Sequence, residues 1–241
     1  NEPKKIAHSY YGLGVIYRKL GKYATSLEYE LKALKINEEL GDTLEMATSL
    51  MNIGTIYTNM GDYKMALEKY FEAVNLQNKI KDVYGIASSQ IGIGNVYFYQ
   101  NKLDDALEAY REAMEIGKEV NDMRLISLCQ DNIAGIYASQ ENYPEALRSY
   151  QASLDLDKKT GNRSGMARSY NWIGGIYFKL KDYKRAADNL KISLDIATEL
   201  GNLEQLQLIH TVWTSLDSAQ GKYEDALQHY RQSVWYRDSL V

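Results

Sequence analysis

The feature that most constrains this chain is a period of 40 residues that runs through the whole sequence. Written in rows of 40, the 241 residues align without a gap, and several columns keep a single residue type in most rows. A fixed period of this size indicates an array of stacked units, because one unit cannot bury its own apolar face. The predicted repeats are 1–40, 41–80, 81–120, 121–160, 161–200 and 201–241.

The second row shows what each unit is. In residues 52–70, NIGTIYTNMGDYKMALEKY, apolar side chains recur at spacings of three and four, which is the period of a helix with one buried face. Gly61-Asp62 interrupts this pattern, and it resumes at Ala66. Each row therefore predicts two helices joined by a tight turn, or about 12 antiparallel helices in all. The absence of alternating strand patterns excludes a propeller.

Two recurring features predict how the helices pack and end. A glycine stands inside the first helix of four of the six rows, as at Gly54, where it costs about 1 kcal/mol relative to alanine. Its recurrence predicts a close approach of the paired helix. Between rows, a pair such as Gly41-Asp42 predicts a left-handed residue that ends one helix, followed by an N-cap for the next.

The order of residue types resembles the tetratricopeptide repeat. The resemblance rests on Ile-Gly-x-x-Tyr at 53–57, Gly-x-Tyr at 61–63 and Ala-Leu-x-x-Tyr at 66–70, and it extends over essentially the whole chain. Rows of 40 residues are longer than the usual 34, and the usual closing proline is absent. In length the rows are similar to repeats of the Pins and kinesin-light-chain type. The resemblance implies an all-α solenoid, curved as a right-handed superhelix, in one domain spanning 1–241.

In that family the first helix of each repeat lines a concave groove that binds peptides. The corresponding columns here vary from row to row, as expected for residues that read a ligand rather than stack repeats. Amides can bond to an extended peptide backbone, and aromatic rings can anchor its side chains. The predicted groove residues are Tyr11, Asn52, Thr55, Asn95, Phe98, Tyr99, Asn132, Arg168, Asn171, Phe178 and Lys179. Solvation alone is the alternative for the asparagines. Lateral core packing is the alternative for the aromatics, and it weighs more for Trp172.

The last row departs from the others, with large apolar residues near its end. Val234, Trp235, Tyr236 and Leu240 allow two interpretations. They pack on the sixth repeat itself, or they form an association surface for further sequence or for a second copy of the chain, giving a homodimer through the C-terminal repeat. This ending is similar to the ends of tetratricopeptide arrays in bacterial sensor kinases and regulators.

Composition limits the partners. The 28 basic and 32 acidic residues leave a net charge of −4, which argues against non-specific nucleic-acid binding. No apolar run reaches the length of a membrane span, so no direct membrane contact is expected. Cys129 is the single cysteine, predicted to be a packed structural thiol. Because the chain begins at Asn1 rather than methionine, we expect a segment of a longer protein, cytoplasmic or periplasmic.

An enzyme is not predicted. The three histidines are expected to lie far apart along the array, and no motif has metal-ligand spacing or a phosphate-binding loop. We therefore predict no cofactor and no metal. The chaperone-tail clamp of the family occurs only in scattered pieces and is not predicted. Two functions remain: a module that binds a peptide or protein segment, or a sensory segment of a bacterial two-component or transcriptional regulator, acting through ligand binding or self-association.

Overall fold

The computed structural model describes residues 2–239, which form α-helices joined by tight turns and contain no β-strand. The helices pair as first and second helix of six repeats, as the period predicts. Their bounds are α1 Glu2–Lys19, α2 Tyr23–Leu40, α3 Thr43–Met60, α4 Tyr63–Ile80, α5 Val83–Tyr99, α6 Leu103–Glu119, α7 Met123–Ser139, α8 Tyr143–Thr160, α9 Arg163–Lys179, α10 Tyr183–Glu199, α11 Leu203–Ala219 and α12 Tyr223–Asp238. No helix within residues 2–239 has the length and apolar character needed to cross a membrane.

The turns have the chemistry that the sequence predicts. Gly41 after α2 has φ 65°, and Lys81 and Asn121 adopt the same left-handed conformation with φ 57° and 54°. An acidic or amide residue then caps the next helix, as where the Gly85 N–H donates to the Asp82 carboxylate at 2.9 Å. These ends satisfy backbone groups that a helix terminus leaves unpaired.

The helices form two compact units. Unit one consists of α1–α6 and ends at Val120, and unit two begins at Asn121 and consists of α7–α12. Within each unit, the second helix of a repeat packs on the first helix of the next, as α4 does on α5 and α8 on α9. First helices also contact one another, since α3 meets α5 and α7 meets α9. That the chain forms a single domain stays a prediction.

The glycines of the recurring first-helix column, such as Gly54, mark close approaches, as predicted. A Cβ on Gly94 would lie 2.5 Å from the ring of Tyr110, and one on Gly174 would lie 2.9 Å from Leu190. The residue that approaches stands in a single column of the paired helix, and this column is filled mostly by tyrosine. The pair Gly54 and Tyr70 repeats this contact in the second repeat. The glycine therefore makes room for a large side chain rather than for backbone contact alone.

Candidate functional site

The candidate site is the first-helix face of each unit, meaning the surface residues of α1, α3 and α5 in unit one and of α7, α9 and α11 in unit two. In unit one, Tyr99 is 60% exposed and stacks against Tyr63 of α4, with ring centroids 6.3 Å apart. Phe98 is half-buried beside it. Tyr11 is half-buried and stacks on His8 at 5.9 Å. Tyr99 is therefore the most accessible predicted ring of this face.

Two of the predicted groove residues in unit one bond to core tyrosines. The Thr55 hydroxyl lies 3.0 Å from the hydroxyl of Tyr70. The Tyr110 hydroxyl donates to the Asn95 amide oxygen at 2.6 Å. Both side chains thus hold a tyrosine of the paired helix in place, a role that their columns did not predict.

Glu30 is a buried carboxyl that sequence reasoning missed. It stands in the column filled by Tyr70 and Tyr110 in the next repeats, and it is 1% exposed. Burial raises the pKa of this carboxyl to about 7, while Asn52 and Arg18 beside it act in the opposite direction. The signal was available, because a glutamate interrupts a column of tyrosines. Predicted groove residue Asn52 therefore faces an ionisable group of its own unit.

In unit two, Arg168 is paired internally. Its Nε donates to Asp131 at 2.7 Å, and the Ser169 hydroxyl donates to the other oxygen of the same carboxylate at 3.2 Å. Asp131 is 5% exposed, and burial raises its pKa while Arg168 opposes that shift. The pair joins α7 to α9, so neighbouring columns of the first-helix face do lie side by side. The charge of Arg168 is largely neutralised there.

The remaining predicted residues of unit two differ in accessibility. Lys179 is exposed and Asn132 is half-buried, whereas Asn171 is only 2% exposed. Phe178 packs near Tyr183 at 6.3 Å, against a core cluster between the fifth and sixth repeats. This is the lateral packing that the sequence left open as the alternative for the aromatic residues.

Trp172, for which lateral packing weighed more than for the other rings, keeps much of its surface accessible. The ring is 45% exposed and stacks on buried Tyr150 of α8, with centroids 6.4 Å apart. One turn later, a Cβ on Gly175 would have no atom within 4 Å, and one on Gly135 would meet only the Tyr150 hydroxyl at 3.7 Å. These two glycines have no packing reason within unit two. Together they leave open space next to an exposed, supported ring.

The sixth repeat corrects one expectation. His210 and His229 are in direct contact, with their Nδ1 atoms 2.8 Å apart, because α11 and α12 are antiparallel and adjacent. Asp217 lies 3.6 Å from Nε2 of His229, and burial lowers the pKa of His210 to about 4. The prediction that the histidines lie far apart is therefore wrong for this pair. Within residues 2–239, no group of three or more His, Cys, Asp or Glu side chains is arranged to hold a metal ion.

The predicted association surface of the last repeat is divided. Trp235 is 59% exposed, while Val234 is half-buried. Tyr236 stacks on His210 at 5.6 Å and so packs within its own repeat. Leu240 lies outside the described residues. Cys129 is fully buried, which raises its pKa to about 12, as expected for a structural thiol.

Comparison with known proteins agrees with the repeat pattern. Two family models, both described as tetratricopeptide repeat, match the sequence, one over residues 45–119 and 124–199 and the other over residues 7–40. No curated protein matches it.

Several solved structures have a similar fold. The apo form of RapI has 17% sequence identity and a TM-score of 0.75, covering 97% of this chain and 84% of that one. A Rap protein complexed with competence and sporulation factor has 14% identity and a TM-score of 0.75, with coverages of 97% and 75%. A STAND signal transduction ATPase with a tetratricopeptide repeat sensor from Pyrococcus horikoshii has 15% identity and a TM-score of 0.71, with coverages of 99% and 38%. At these identities the likeness concerns the fold alone.

Proposed function

Since the chain belongs to the tetratricopeptide repeat family, we propose that it is a non-enzymatic interaction module that binds a peptide or protein segment on its first-helix face. The fold is that of a protein-interaction scaffold. In a Rap protein of similar fold, the bound molecule is the competence and sporulation factor. The ligand of this chain would lie along α7 and α9 in unit two, along α3 and α5 in unit one, or along both.

The observation that carries the proposal is the open space around Trp172. A glycine inside a helix costs about 1 kcal/mol relative to alanine, so Gly175 needs a compensating reason. Gly94 and Gly174 have such a reason in the large side chains that pack against them, but Gly175 has no atom within 4 Å of its Cβ position. Room for a ligand beside an aromatic ring supplies the missing reason.

The geometry favours a ligand with an apolar or aromatic side chain. Trp172 is held by its stack on Tyr150, so little rotamer freedom is lost when a ligand covers the ring. Large, supported aromatic side chains are the usual energetic centres of protein interfaces. Arg168 is already paired with Asp131, which disfavours recognition of an acidic group at this point. Tyr99, stacked on Tyr63, offers a similar support in unit one.

The experiment uses a random peptide library displayed on phage and selected against the purified chain. Selected peptides are synthesised and titrated by calorimetry against wild type, Trp172→Ala, Tyr99→Ala and Phe71→Ala. Phe71 is the matched control, because it is 51% exposed on α4 and outside the first-helix face. We expect Trp172→Ala or Tyr99→Ala to cost about 2 kcal/mol, or about 30-fold in Kd. Phe71→Ala should leave Kd nearly unchanged.

Gly175→Ala separates binding from stability. The added methyl group should stabilise α9 by about 0.5–1 kcal/mol, because glycine is a poor helix former and the space is open. The same methyl group should raise the Kd of a peptide whose binding requires contact with Trp172. Peptides that lose affinity with Phe71→Ala but bind all the first-helix variants like wild type would contradict the proposal.

A sensory role is the second candidate, and one comparison favours it. The STAND ATPase of similar fold carries its tetratricopeptide repeats as a sensor. Under this candidate, a bound peptide must change the state of the chain and not only occupy it. Sedimentation with and without a saturating selected peptide tests this, since a sensor that acts through self-association changes mass on binding. An unchanged mass would leave the simple interaction module as the better description.

A further inference from the structure

Three buried tyrosines occupy equivalent positions on the second helices of repeats two, three and four. They are Tyr70, Tyr110 and Tyr150, and they are 3%, 2% and 2% exposed. In repeats two and three the hydroxyl has a partner on the paired first helix. The Tyr70 hydroxyl lies 3.0 Å from that of Thr55, and the Tyr110 hydroxyl donates to Asn95 at 2.6 Å. These hydrogen bonds compensate a buried hydroxyl for its lost contact with water.

The fourth repeat keeps the tyrosine but lacks the partner. Gly135 stands in the column of Thr55 and Asn95. Its Cβ position lies 3.7 Å from the Tyr150 hydroxyl, which therefore points toward the space of the missing side chain. That hydroxyl makes no hydrogen bond with any residue in 2–239. The sealed polar atoms without a partner in the same range do not include its oxygen, so the oxygen reaches the surface.

The Tyr150 hydroxyl is suited to donate a hydrogen bond. Burial raises the pKa of this phenol, and the carboxylate of Asp131 adds to the shift while Arg168 opposes it. The phenol therefore keeps its proton at neutral pH and can donate it to an acceptor. Because Arg168 is engaged by Asp131 at 2.7 Å, it is not free to pair with a ligand carboxylate. A neutral carbonyl oxygen is thus the better acceptor at this point.

The surroundings of the hydroxyl suit the main chain of a peptide. Glycine allows a ligand to approach a helix backbone closely. Gly135 has only the Tyr150 hydroxyl within 4 Å of its Cβ position, and Gly175 has no atom within that distance. The ring of Trp172 stacks on the ring of Tyr150, with centroids 6.4 Å apart. A ligand residue whose carbonyl meets the hydroxyl would therefore place a neighbouring side chain on the exposed ring.

From this arrangement we infer that Tyr150 is a specificity-determining residue of the first-helix face: its hydroxyl donates to a main-chain carbonyl of an extended peptide whose adjacent side chain covers Trp172. The inference rests on the proposed function, because it names the group that the ligand presents beside this ring. It also gives Gly135 a role, since a glycine here removes the internal partner that would otherwise occupy the hydroxyl. In repeats two and three the same hydroxyl is bonded within the repeat.

Removal of the hydroxyl gives a first test that needs no ligand. Tyr150→Phe deletes a group without a partner in residues 2–239, so its melting temperature should stay within about 1 °C of wild type. Tyr110→Phe is the matched comparison, because it deletes the donor to Asn95. It should lower the melting temperature by about 2–4 °C. An equal loss for both variants would show that the Tyr150 hydroxyl is already bonded within the chain, which overturns the inference whether or not a peptide binds.

The second test measures the Kd of those phage-selected peptides that bind Trp172→Ala more weakly than wild type. Tyr150→Phe should raise their Kd by about 5–10-fold, as expected for one hydrogen bond. Tyr110→Phe should leave the Kd unchanged. Gly135→Asn copies Asn95 of repeat three, so it should bond the hydroxyl internally, raise the melting temperature and raise the Kd as Tyr150→Phe does.

The acceptor is located by replacing one peptide carbonyl at a time with a thiocarbonyl, which is a weaker acceptor. One position should lose affinity for wild type but not for Tyr150→Phe, because that variant cannot donate. A coupling that falls instead on a peptide side chain overturns the main-chain assignment. Peptides that depend on Trp172 but bind Tyr150→Phe like wild type leave the proposed function standing and overturn this inference. Peptides that never depend on Trp172 overturn both for unit two.

Discussion

Repeats two and three and repeats four and five share one backbone plan but fill their interiors differently. In repeats two and three the buried polar contacts are neutral. The Ser89 hydroxyl donates to buried Gln77 at 2.9 Å, and the Tyr110 hydroxyl donates to Asn95. Neutral contacts of this kind contribute about 1 kcal/mol each, and they do not change with pH.

In repeats four and five, carboxylates occupy the interior. Asp157, in the column of Gln77, is fully buried and accepts from the hydroxyl of Ser127 at 2.7 Å and from the amide of Asn162 at 2.8 Å. Asp131 is held by Arg168 and Ser169. The same geometry therefore accepts a neutral or an ionic interior. The ionic one depends on every donor, because an unpaired buried charge is far more costly than an unpaired amide.

Removal of the counter-ion should have the largest effect. Arg168→Ala leaves the Asp131 carboxylate buried without its cation, and we expect a loss of about 3 kcal/mol in unfolding free energy near neutral pH. The folded-state pKa of Asp131, already raised by burial, should rise further without Arg168. The folded state then binds a proton more readily than the unfolded state, so the loss should shrink as the pH falls.

Urea unfolding at about pH 5 and about pH 7 measures this difference. Lys179→Ala is the control, because Lys179 is an exposed lysine at the end of the same helix. A loss for Arg168→Ala that is equal at both pH values would show that the carboxylate is not the source of the cost.

Repeat one extends the comparison, because Glu30 stands in the column that holds Tyr70 and Tyr110 in repeats two and three. The folded-state pKa of Glu30 is about 7, above the ordinary value of 4.5. The folded state therefore holds the proton more tightly, and wild-type stability should fall as the pH rises from about 5 through 7. Glu30→Gln removes this dependence. We expect a gain of about 2 kcal/mol at about pH 8 and little change at about pH 5.

Thermal or urea unfolding across this pH range checks the gain, with exposed Glu39→Gln as the control for removal of a surface charge. If Glu30→Gln and wild type show parallel pH profiles, then Glu30 does not titrate in this window, and repeat one behaves like the neutral repeats.

The smallest expected effect concerns the glycine column. Gly94→Ala should cost about 1–2 kcal/mol, because its Cβ would lie 2.5 Å from the ring of Tyr110 and the ring must shift. Repeat four carries Ala134 in this column, so the fold accommodates a methyl group at the corresponding position of that repeat. Gly12→Ala is the matched control, since no atom lies within 4 Å of its Cβ position. It should stabilise α1 by about 0.5–1 kcal/mol.

Melting temperatures of the two alanine variants read out this difference, and the opposite sign for Gly12 makes it diagnostic. Equal destabilisation by both substitutions would mean that the glycine column is selected for a property other than the packing of Tyr110.

Much of the fold could be predicted, because the sequence signals act over short distances. Helical spacing, the Gly-Asp turns and the glycine column each depend on neighbours within one repeat or the next. The repeats make these predictions more secure, because a wrong assignment of helices and turns would have to be supported by the same pattern in all six rows. The helix pairs, their turns and the close approach at Gly54 and Gly94 were accordingly correct.

The candidate site could be predicted only in part, because column position does not determine exposure. Thr55 and Asn95 belong to groove columns, but a tyrosine on the paired helix uses their polar atoms. Trp172 belongs to a neighbouring groove column. Its ring stacks on Tyr150 and remains exposed on its other side. Residue spacing does not predict this exposure, since it depends on how the rings of Trp172 and Tyr150 pack against each other.

The sequence by itself determined the period, the helix pairs and the family, because these follow from residue patterns that repeat locally. Only the tertiary structure decided which side chains of the pattern face inward. The contact of His210 with His229, the burial of Glu30 and Asp157, and the exposure of Trp172 all depend on what packs against each helix. The 40-residue period determines which helices lie next to one another. It does not determine which side chains come into contact when those helices pack.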